Sequence, residues 1–352
     1  MNKVRLGRTD LYVTKTAFGA LPVQRRTVED GAKLLRKAYE SGINFFDTAR
    51  AYTDSEEKIG LALSDVRENI IIATKSGAKT GEALLKDLET SLKNLKTDYI
   101  DIYQFHNPNF VPKPGGEDGL YDAALKAKAE GKIRHIGITN HSAERAKEAV
   151  LSGLYETVQY PFSLISDENE IELVNLCKEH DVGFICMKAL CGGLITDIEA
   201  AFAFVYHYEN AVPIFGIQKE EELLEFLELT KNPPVFDEDM AKRALKEKAA
   251  LGGDFCRACG YCLPCPAQIN IPTAARMKLL LGRSTYWNLV TPENRAEMEK
   301  ITNCIHCNHC VNHCPYHLDT PNRLIAELEY YREFCKEFDE TDGKMNRNFL
   351  IK

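Results

Sequence analysis

Short apolar stretches rich in β-branched residues alternate with longer amphipathic stretches over roughly the first 235 residues of the chain. INFFDTA is followed by SEEKIGLALS, NIIIATK by EALLKDLETSLKNL, YIDIYQFH by GLYDAALKAKAEG, and IRHIGITN by SAERAKEAVLSG. TKTAFG opens the series, and TVQYPFS, VGFICMKAL and VPIFGIQ continue it. Such alternation predicts strands and helices around a parallel sheet. Eight units in this length favour a closed (β/α)8 TIM barrel over an open doubly wound sheet.

Two further features of this region support the barrel. No glycine-rich G-x-G-x-x-G turn follows an early strand, which argues against a Rossmann domain. The segment VRLGRTDLYV precedes the first barrel strand and contains Gly7 where a turn is expected. It therefore predicts a hairpin that closes the barrel floor.

Composition and charge exclude several classes of function. The chain has 352 residues, of which 44% are hydrophobic and 27% charged, as is typical of a globular protein with a substantial core. Its formal net charge of −8 argues against nucleic acid or an anionic membrane as a partner. The N-terminus lacks the apolar core of a signal peptide, and no stretch approaches the roughly 18 apolar residues of a membrane span. We therefore expect a soluble cytoplasmic protein.

The cysteines cluster near the C-terminal end of the chain. Eight of the twelve lie in two closely spaced runs, each of which ends in Cys-Pro: Cys256, Cys259, Cys262 and Cys265, then Cys304, Cys307, Cys310 and Cys314. In a reducing compartment, such clusters are more often metal ligands or redox groups than disulfides. Two CxxC pairs suit a zinc ion, but three thiols at this spacing followed by Cys-Pro favour a [4Fe–4S] cluster in each run.

The fourth thiol of each run is expected to cross to the other cluster. The first cluster then takes Cys256, Cys259, Cys262 and Cys314, and the second takes Cys304, Cys307, Cys310 and Cys265. The first run is one residue short before its Cys-Pro, which leaves the wiring of Cys265 open. Three histidines lie among the second set, but the thiols suffice as ligands without them.

Helical patterns surround the cysteine runs. IPTAARMKLLL and TPENRAEMEKI lie between them, the second with Thr291 as its predicted N-cap, and TPNRLIAELEYYREFCKEF follows them. The region resembles the α-helical two-cluster ferredoxin domains that are appended to many redox enzymes. We expect a barrel over residues 1–235, a charged helical linker over 236–253 and a small ferredoxin-like domain over 254–352.

Four ionisable residues are predicted to meet at the mouth of the barrel, where the C-terminal ends of the strands carry the chemistry of such folds. Asp47 ends the second barrel strand, Lys75 the third and His106 the fourth, and Tyr52 follows Asp47 by five residues. We expect Asp47 to hold Lys75 charged and Lys75 to lower the pKa of Tyr52. Tyr52 then acts as a general acid toward a carbonyl oxygen, which His106 orients by a hydrogen bond.

The segments GINFFDTARAYTDSEEKIG, IIATKSG, YIDIYQFHNP and GKIRHIGITNH closely resemble the aldo-keto reductases. The whole chain is similar to the group of that family that carries a fused C-terminal ferredoxin domain. The resemblance implies that the four residues above form the family's catalytic tetrad. It also implies a nicotinamide cofactor, NADP or NAD, bound through residues that follow the later strands: Thr139, Asn140, Gln159, Met187, Lys188, Gln218, Lys219 and Glu225. Of these, Asn140 and Gln159 would hold the nicotinamide carboxamide.

The sequence departs from the family at the cofactor site. Met187 stands where the family has an aromatic residue that stacks on the nicotinamide, and Phe215 where a proline is common. Glu222 stands where a basic residue usually contacts the 2′-phosphate, and Phe226 where an asparagine contacts the adenine. The three consecutive acids Glu220–Glu222 would repel a 2′-phosphate, which leaves the choice between NADP and NAD open.

These observations predict an iron–sulfur oxidoreductase that acts on a small carbonyl or alcohol. Nicotinamide transfers a hydride, whereas a [4Fe–4S] cluster accepts one electron, so a flavin at the mouth or on a redox partner protein, or a substrate that tolerates a radical, is expected to link them. Alternatively, the clusters are structural or transfer electrons only with a partner protein. The alternative is an electron-transfer protein whose barrel binds a ligand, flavin or partner without nicotinamide-dependent reduction. The intact set of four residues favours the enzyme.

Overall fold

The structure, a computed structural model, describes residues 1–251, 255–283, 286–314, 316–341 and 343. Asp254, at the predicted start of the ferredoxin-like domain, and Pro315, in the second Cys-Pro, lie outside the described residues. The chain divides into two compact units, Met1–Gly192 with Asp197–Ala244, and Gly193–Thr196 with Leu245–Lys352. None of the described helices is both long enough and apolar enough to cross a membrane.

The first unit contains a closed barrel of parallel strands. Residues 1–251 are described without a gap and form ten strands, of which the last eight close the barrel: β1 (Lys3–Arg5), β2 (Tyr12–Thr14), β3 (Ala17–Gly19), β4 (Phe45–Asp47), β5 (Ile71–Ser76), β6 (Ile100–His106), β7 (Ile133–Thr139), β8 (Thr157–Pro161), β9 (Gly183–Met187) and β10 (Ala211–Gly216). Strands β3 to β10 pair in chain order, and β10 pairs with β3. The predicted (β/α)8 barrel is confirmed; β5 runs one residue past Lys75, its predicted end.

Eight helices of this unit follow barrel strands: α1 (Val28–Glu40), α2 (Ser55–Leu63), α3 (Gly81–Leu95), α4 (Leu120–Ala129), α5 (Ala143–Leu151), α6 (Glu168–Glu179), α7 (Ile198–His207) and α8 (Glu220–Lys231). Several begin at a side chain that caps a free backbone N–H. Thr27 accepts from the amide of Asp30, and Asp167 forms a capping box with Glu170. Local capping signals therefore mark the start of several of the helices that the amphipathic stretches predicted.

The predicted hairpin at the N-terminus is present. Strands β1 and β2 pair antiparallel, and a 3₁₀ turn at Gly7–Thr9 joins them. Gly7 has a φ of +54°, and a Cβ there would lie 2.2 Å from the amide nitrogen of Gly183 at the start of β9. Leu6 and Val13 are fully buried in the apolar cluster inside the barrel. The hairpin therefore closes the N-terminal end of the barrel.

The second unit is helical. Its elements include α10 (Ile271–Ala274), α11 (Met277–Arg283), α12 (Pro292–Glu299), α13 (His309–Asn312) and α14 (Thr320–Glu340), which follow the long helix α9 (Glu238–Leu251). The predicted helix over 271–281 is broken in two. Thr291 caps α12 as predicted. Helix α14 begins at Thr320, with Pro321 in its first turn and Asp319 as its cap. The predicted linker is largely helix α9, within which the two units divide, between Ala244 and Leu245.

Candidate active site and cluster-binding region

An ion pair between two buried side chains lies at the C-terminal ends of β4 and β5. The Nζ of Lys75 is 2.6 Å from Oδ1 of Asp47 and also donates to the carbonyl of Thr48. Burial raises the pKa of Asp47, an effect that the Lys75 ammonium opposes. Burial disfavours the charge on Lys75, but the Asp47 carboxylate and the Tyr52 phenol together raise its pKa. The pair therefore holds a charged amine at the mouth.

Tyr52 lies in the loop between β4 and α2, where it is half-buried. The loop is fixed by the buried Lys58, whose Nζ donates to Asp54 and to the carbonyls of Val23 and Arg26. The Nζ of Lys75 lies 5.0 Å from the centre of the Tyr52 ring.

Two opposing effects determine the pKa of Tyr52. Burial raises this pKa above its usual value of 10, and the charge and hydrogen bond of Lys75 lower it by less. Lys75 therefore acts in the predicted direction, but the net pKa lies above its usual value because desolvation of the phenolate is the larger effect. Tyr52 accordingly keeps its proton throughout the neutral range.

His106 ends β6 beside this phenol. The two rings meet edge to face, with centres 5.9 Å apart and planes at 83°. Burial, together with the charges of Lys75 and Lys79, lowers the pKa of His106 to about 3. The imidazole is therefore neutral near pH 7, so it keeps one N–H to donate to a substrate oxygen.

Two glutamines join the ion pair from inside the barrel. Oε1 of Gln159 accepts from Nε2 of Gln104 at 2.9 Å, and both amides oppose the rise that burial causes in the pKa of Asp47. Gln104 was not singled out from the sequence. Its signal was there, because it precedes His106 by two residues on one strand and therefore faces the same side.

The other residues that the resemblance implied for a nicotinamide lie around the same mouth. Thr139 ends β7, and its carbonyl accepts from the amide of Asn107 at 3.0 Å. The side chain of Asn140 donates to the carbonyl of Pro108 at 2.9 Å and accepts from the amide of Ser142 at 2.9 Å. Met187 ends β9 and is half-buried, and the equally half-buried Lys188 follows it with a φ of 59°.

The N-terminus of α8, where the resemblance places the adenosine phosphate, holds a carboxylate of the chain itself. Oε2 of Glu222 accepts from the amides of Gln218 and Lys219 at 2.8 and 3.1 Å. These amides and the helix dipole would otherwise favour an external anion. Among the residues implied to contact the nucleotide, Gln218 is half-buried and Lys219 and Glu225 are exposed.

Two departures from the family pattern are core residues. The ring of Phe226 stacks on Phe215 with centres 4.4 Å apart, and Phe215 stacks on Phe202 at 5.4 Å. Phe215 and Phe226 are each only 2% exposed. Phe226 is therefore committed to packing α8 against the barrel and presents no polar group to an adenine.

The thiols of the second unit surround a cavity. About 370 Å³ of space, part of it open to solvent, is lined by Cys262, Cys265, Cys304, Cys307 and Cys310. This lining brings both Cys262 and Cys265 of the first run to the second run, and Cys314 is not part of it. In the described residues, no three His, Cys, Asp or Glu side chains are grouped as a single metal ion requires. A thiol-lined cavity of this kind fits a cluster with sulfide of its own.

Both cysteine runs adopt the same unusual backbone. Ala258 and Gly260 have φ values of 51° and 86°, and His306 and Asn308 have values of 51° and 58°. These residues occupy equivalent positions, two and four residues after the first cysteine of each run. Left-handed φ values are uncommon for residues other than glycine. Their repetition supports a shared role for the two loops in wrapping a cluster.

Comparison with known proteins adds a decisive observation. The profile described as "Aldo/keto reductase family" matches residues 17–200, more than half of the chain. The chain belongs to the aldo/keto reductase family. A second profile, described as "4Fe-4S dicluster domain", matches residues 255–319. The protein is thus an oxidoreductase of this family with a C-terminal 4Fe-4S domain, as predicted.

Individual relatives cover only part of the chain. It is 31% identical over 211 residues to "Uncharacterized oxidoreductase YqkF" of Bacillus subtilis, a match that spans 56% of this chain and 67% of that protein. It is 28% identical over 226 residues to "NADH-specific methylglyoxal reductase" of Escherichia coli, spanning 56% and 69%. The fold is similar to that of aldo-keto reductase AKR11C1 from Bacillus halodurans in its holo form. That comparison has a TM-score of 0.62 and 23% identity, and covers 70% of this chain and 96% of that one.

Proposed function

We propose that the barrel of this aldo/keto reductase family member reduces a small carbonyl compound to the alcohol, reversibly, with a nicotinamide cofactor. The observation that carries this proposal is the buried Asp47–Lys75 ion pair beside the half-buried Tyr52 phenol. A protonated phenol next to a fixed ammonium is suited to donating a proton to an oxygen that gains negative charge.

Each of the four residues has a distinct role in this proposal. A bound reduced nicotinamide would supply the hydride to the carbonyl carbon. Tyr52 gives its proton to the carbonyl oxygen, and the Lys75 ammonium stabilises the phenolate that remains. Asp47 keeps Lys75 charged and in place. Neutral His106 donates a hydrogen bond that orients the substrate oxygen. In alcohol oxidation, the same groups act in reverse.

For the cofactor we infer NADH in preference to NADPH. Glu222 already occupies the amides at the start of α8, and its negative charge would repel a 2′-phosphate. Glu221 and Glu225 lie exposed on the same helix, and Glu220 pairs with Lys37. The E. coli relative that is named NADH-specific is consistent with this choice.

Nucleotide preference gives a direct test. We expect purified protein to have a higher kcat/KM with NADH than with NADPH. Glu222→Gln keeps an acceptor for the helix amides but removes the charge, so the ratio should move about fivefold toward NADPH, as one repulsion of about 1 kcal/mol implies. Glu228→Gln, on an exposed glutamate two turns further along the same helix, is the matched control. An equal change in both variants would show that Glu222 has no specific role.

For the second unit we propose two [4Fe–4S] clusters, with the cross-wired ligands given above, that exchange single electrons with a redox partner protein or a flavin. The thiol-lined cavity and the repeated left-handed turns support this assignment. Hydride transfer and one-electron transfer differ in kind, so a flavin at the mouth or on the partner would have to link them.

Metal analysis tests the number of clusters. Anaerobically purified protein should contain about eight iron and eight sulfide per chain. Cys307→Ala removes an exposed ligand of the second set, so it should lose about half of the iron and of the cluster absorbance. Cys335→Ala, a buried thiol of the same unit outside both runs, should keep all of it. Stoichiometric zinc without sulfide would contradict the assignment.

A second function has support from one specific observation. Glu222 and Phe226 occupy two positions at which the family pattern contacts the nucleotide, and neither is suited to that contact. In this alternative, the barrel binds a ligand, flavin or partner protein, and the chain serves electron transfer. Titration with NADH and NADPH, followed by nicotinamide fluorescence, separates the two functions. Binding of neither nucleotide would favour the electron-transfer protein.

A further inference from the structure

The interior of the barrel becomes more polar toward its mouth. Alternate strands of such barrels contribute side chains to common layers. One layer consists of Asp47 on β4, Gln104 on β6 and Gln159 on β8. Each lies two residues after another residue of its own strand (Phe45, Ile102 and Thr157, respectively), and therefore on the same face of that strand. Asp47, Gln104 and Gln159 are at most 2% exposed. Buried polar groups are unfavourable unless they are hydrogen-bonded. The hydrogen bonds of these three side chains therefore explain why they can be buried here.

Gln104 contacts both of the other members of this layer. Its Nε2 donates to Oε1 of Gln159 at 2.9 Å and lies 3.5 Å from Oδ2 of Asp47. An amide nitrogen has two hydrogens to donate. Since an ionised carboxylate only accepts, the nitrogen of Gln104 must be the atom that faces Asp47. The other carboxylate oxygen of Asp47, Oδ1, bonds Lys75.

Within the described residues, the side chain of Gln104 forms hydrogen bonds only through its amide nitrogen. Its Oε1 is buried and has no hydrogen-bond partner among the described residues. Gly137 on β7 makes room for the side chain, because a Cβ there would lie 3.0 Å from Cγ of Gln104 and 2.3 Å from Oγ1 of Thr157. A leucine at position 104 would avoid the cost of burying an amide. The amide is therefore explained by its contacts to Asp47 and Gln159.

We propose that Gln104 is a positioning residue for the reaction at the barrel mouth. It ties Gln159, which the resemblance places on the nicotinamide carboxamide, to Asp47. By fixing one oxygen of Asp47, it keeps the other directed at Lys75, and through Lys75 it sets the environment of the Tyr52 phenol. This network thereby fixes the position of the hydride donor relative to the proton donor. This inference rests on the proposed carbonyl reduction.

Two substitutions of Gln104 test the proposal with the full-length protein. Gln104→Leu removes both donors at similar volume and should lower kcat/KM about tenfold, the effect of losing one to two hydrogen bonds. Gln104→Glu keeps the shape. While its new carboxyl group is protonated it donates one hydrogen bond, but once ionised it repels Asp47. Burial and the neighbouring carboxylate raise the pKa of such a group toward neutrality or above.

The pH profile distinguishes positioning from a general structural effect. For Gln104→Glu, kcat/KM should be near that of the native protein at low pH and fall as pH rises through a range in which the native profile is flat. The matched control is Thr157→Val, which alters a buried hydroxyl next to Gly137 that bonds neither Asp47 nor Gln159. It should leave both rate and profile unchanged. Far-UV circular dichroism and cluster absorbance report folding of every variant.

The outcomes separate the two proposals. If the native protein turns over and Gln104→Glu shows either the native profile or a uniform loss at every pH, Gln104 has no positioning role. This result overturns the inference even if Gln104→Leu fails to fold, and it leaves the proposed function intact. If the native protein reduces no carbonyl with either nucleotide, the proposed function fails, and the role of Gln104 fails with it.

Discussion

Tyr52→Phe should lower the rate of carbonyl reduction by about 10²- to 10⁴-fold, the range that general acid catalysis contributes. The substitution deletes the hydroxyl and leaves the ring against His106. Nucleotide binding and cluster absorbance should therefore be unchanged. The measurement is kcat/KM with a carbonyl substrate that the native protein reduces. Tyr12→Phe, on an exposed tyrosine of the closing hairpin, is the matched control and should keep native activity.

The pH dependence of the native reaction belongs to the same prediction. In the proposed reaction the proton donor is the protonated phenol, and burial raises the pKa of Tyr52 above 10. Activity should therefore persist through the neutral range and fall only as the pH rises past the raised pKa. His106, with a pKa of about 3, adds no ionisation near neutrality. Native turnover in Tyr52→Phe would show that the proton comes from another group.

Lys75→Met should impair both stability and turnover. It leaves Asp47, which is 2% exposed, without its cation. Removing one member of a buried ion pair commonly costs about 3–5 kcal/mol in the free energy of unfolding. Turnover should also fall sharply, because the phenolate of Tyr52 loses the ammonium that stabilises it.

The loss of stability should depend on pH in a defined direction. Without Lys75, burial raises the pKa of Asp47 further above its value in the unfolded chain. The folded variant then favours the protonated acid, so its stability relative to the native protein should improve as pH falls from 7 toward 5. Urea unfolding should be followed by far-UV circular dichroism, because the chain's single tryptophan, Trp287, lies in the second unit.

A double substitution completes the cycle. Lys75→Met combined with Asp47→Asn removes both charges, and should recover much of the stability without recovering turnover. If the double variant is no more stable than Lys75→Met alone, the ion pair is not what stabilises this part of the barrel. Recovery of turnover would instead show that the charge on Lys75 is unnecessary for the reaction.

The sequence predicted those features that depend on periodicity and spacing. Strand–helix alternation predicted the barrel, and the position of Gly7 predicted the hairpin, because both follow from local patterns of one chain segment. The ion pair of Asp47 and Lys75 was also predicted, because both residues were placed at the C-terminal ends of neighbouring strands. Thr291 was found as a helix cap because its side chain acts within its own turn.

Other features depended on contacts between distant segments. The net pKa of Tyr52 is set by burial among several loops, which no local motif reports. The bond between Gln104 and Gln159 joins residues 55 positions apart. Glu222 was recognised only as a replacement for the family's basic residue, although its bonds to the nearby amides of Gln218 and Lys219 are a local contact at the start of α8. Phe226 likewise became a core residue only through its stack on Phe215.

The hairpin that closes the barrel has a consequence for steady-state kinetics. With Leu6 and Gly7 packed against the floor, the proposed nucleotide and substrate would share the opposite opening. The glutamine assigned to the nicotinamide, Gln159, is buried within the barrel, below the half-buried Tyr52. The nucleotide should therefore bind first and leave last, in a compulsory order. Oxidised nucleotide should inhibit competitively against reduced nucleotide, whereas the alcohol product should inhibit in a mixed pattern.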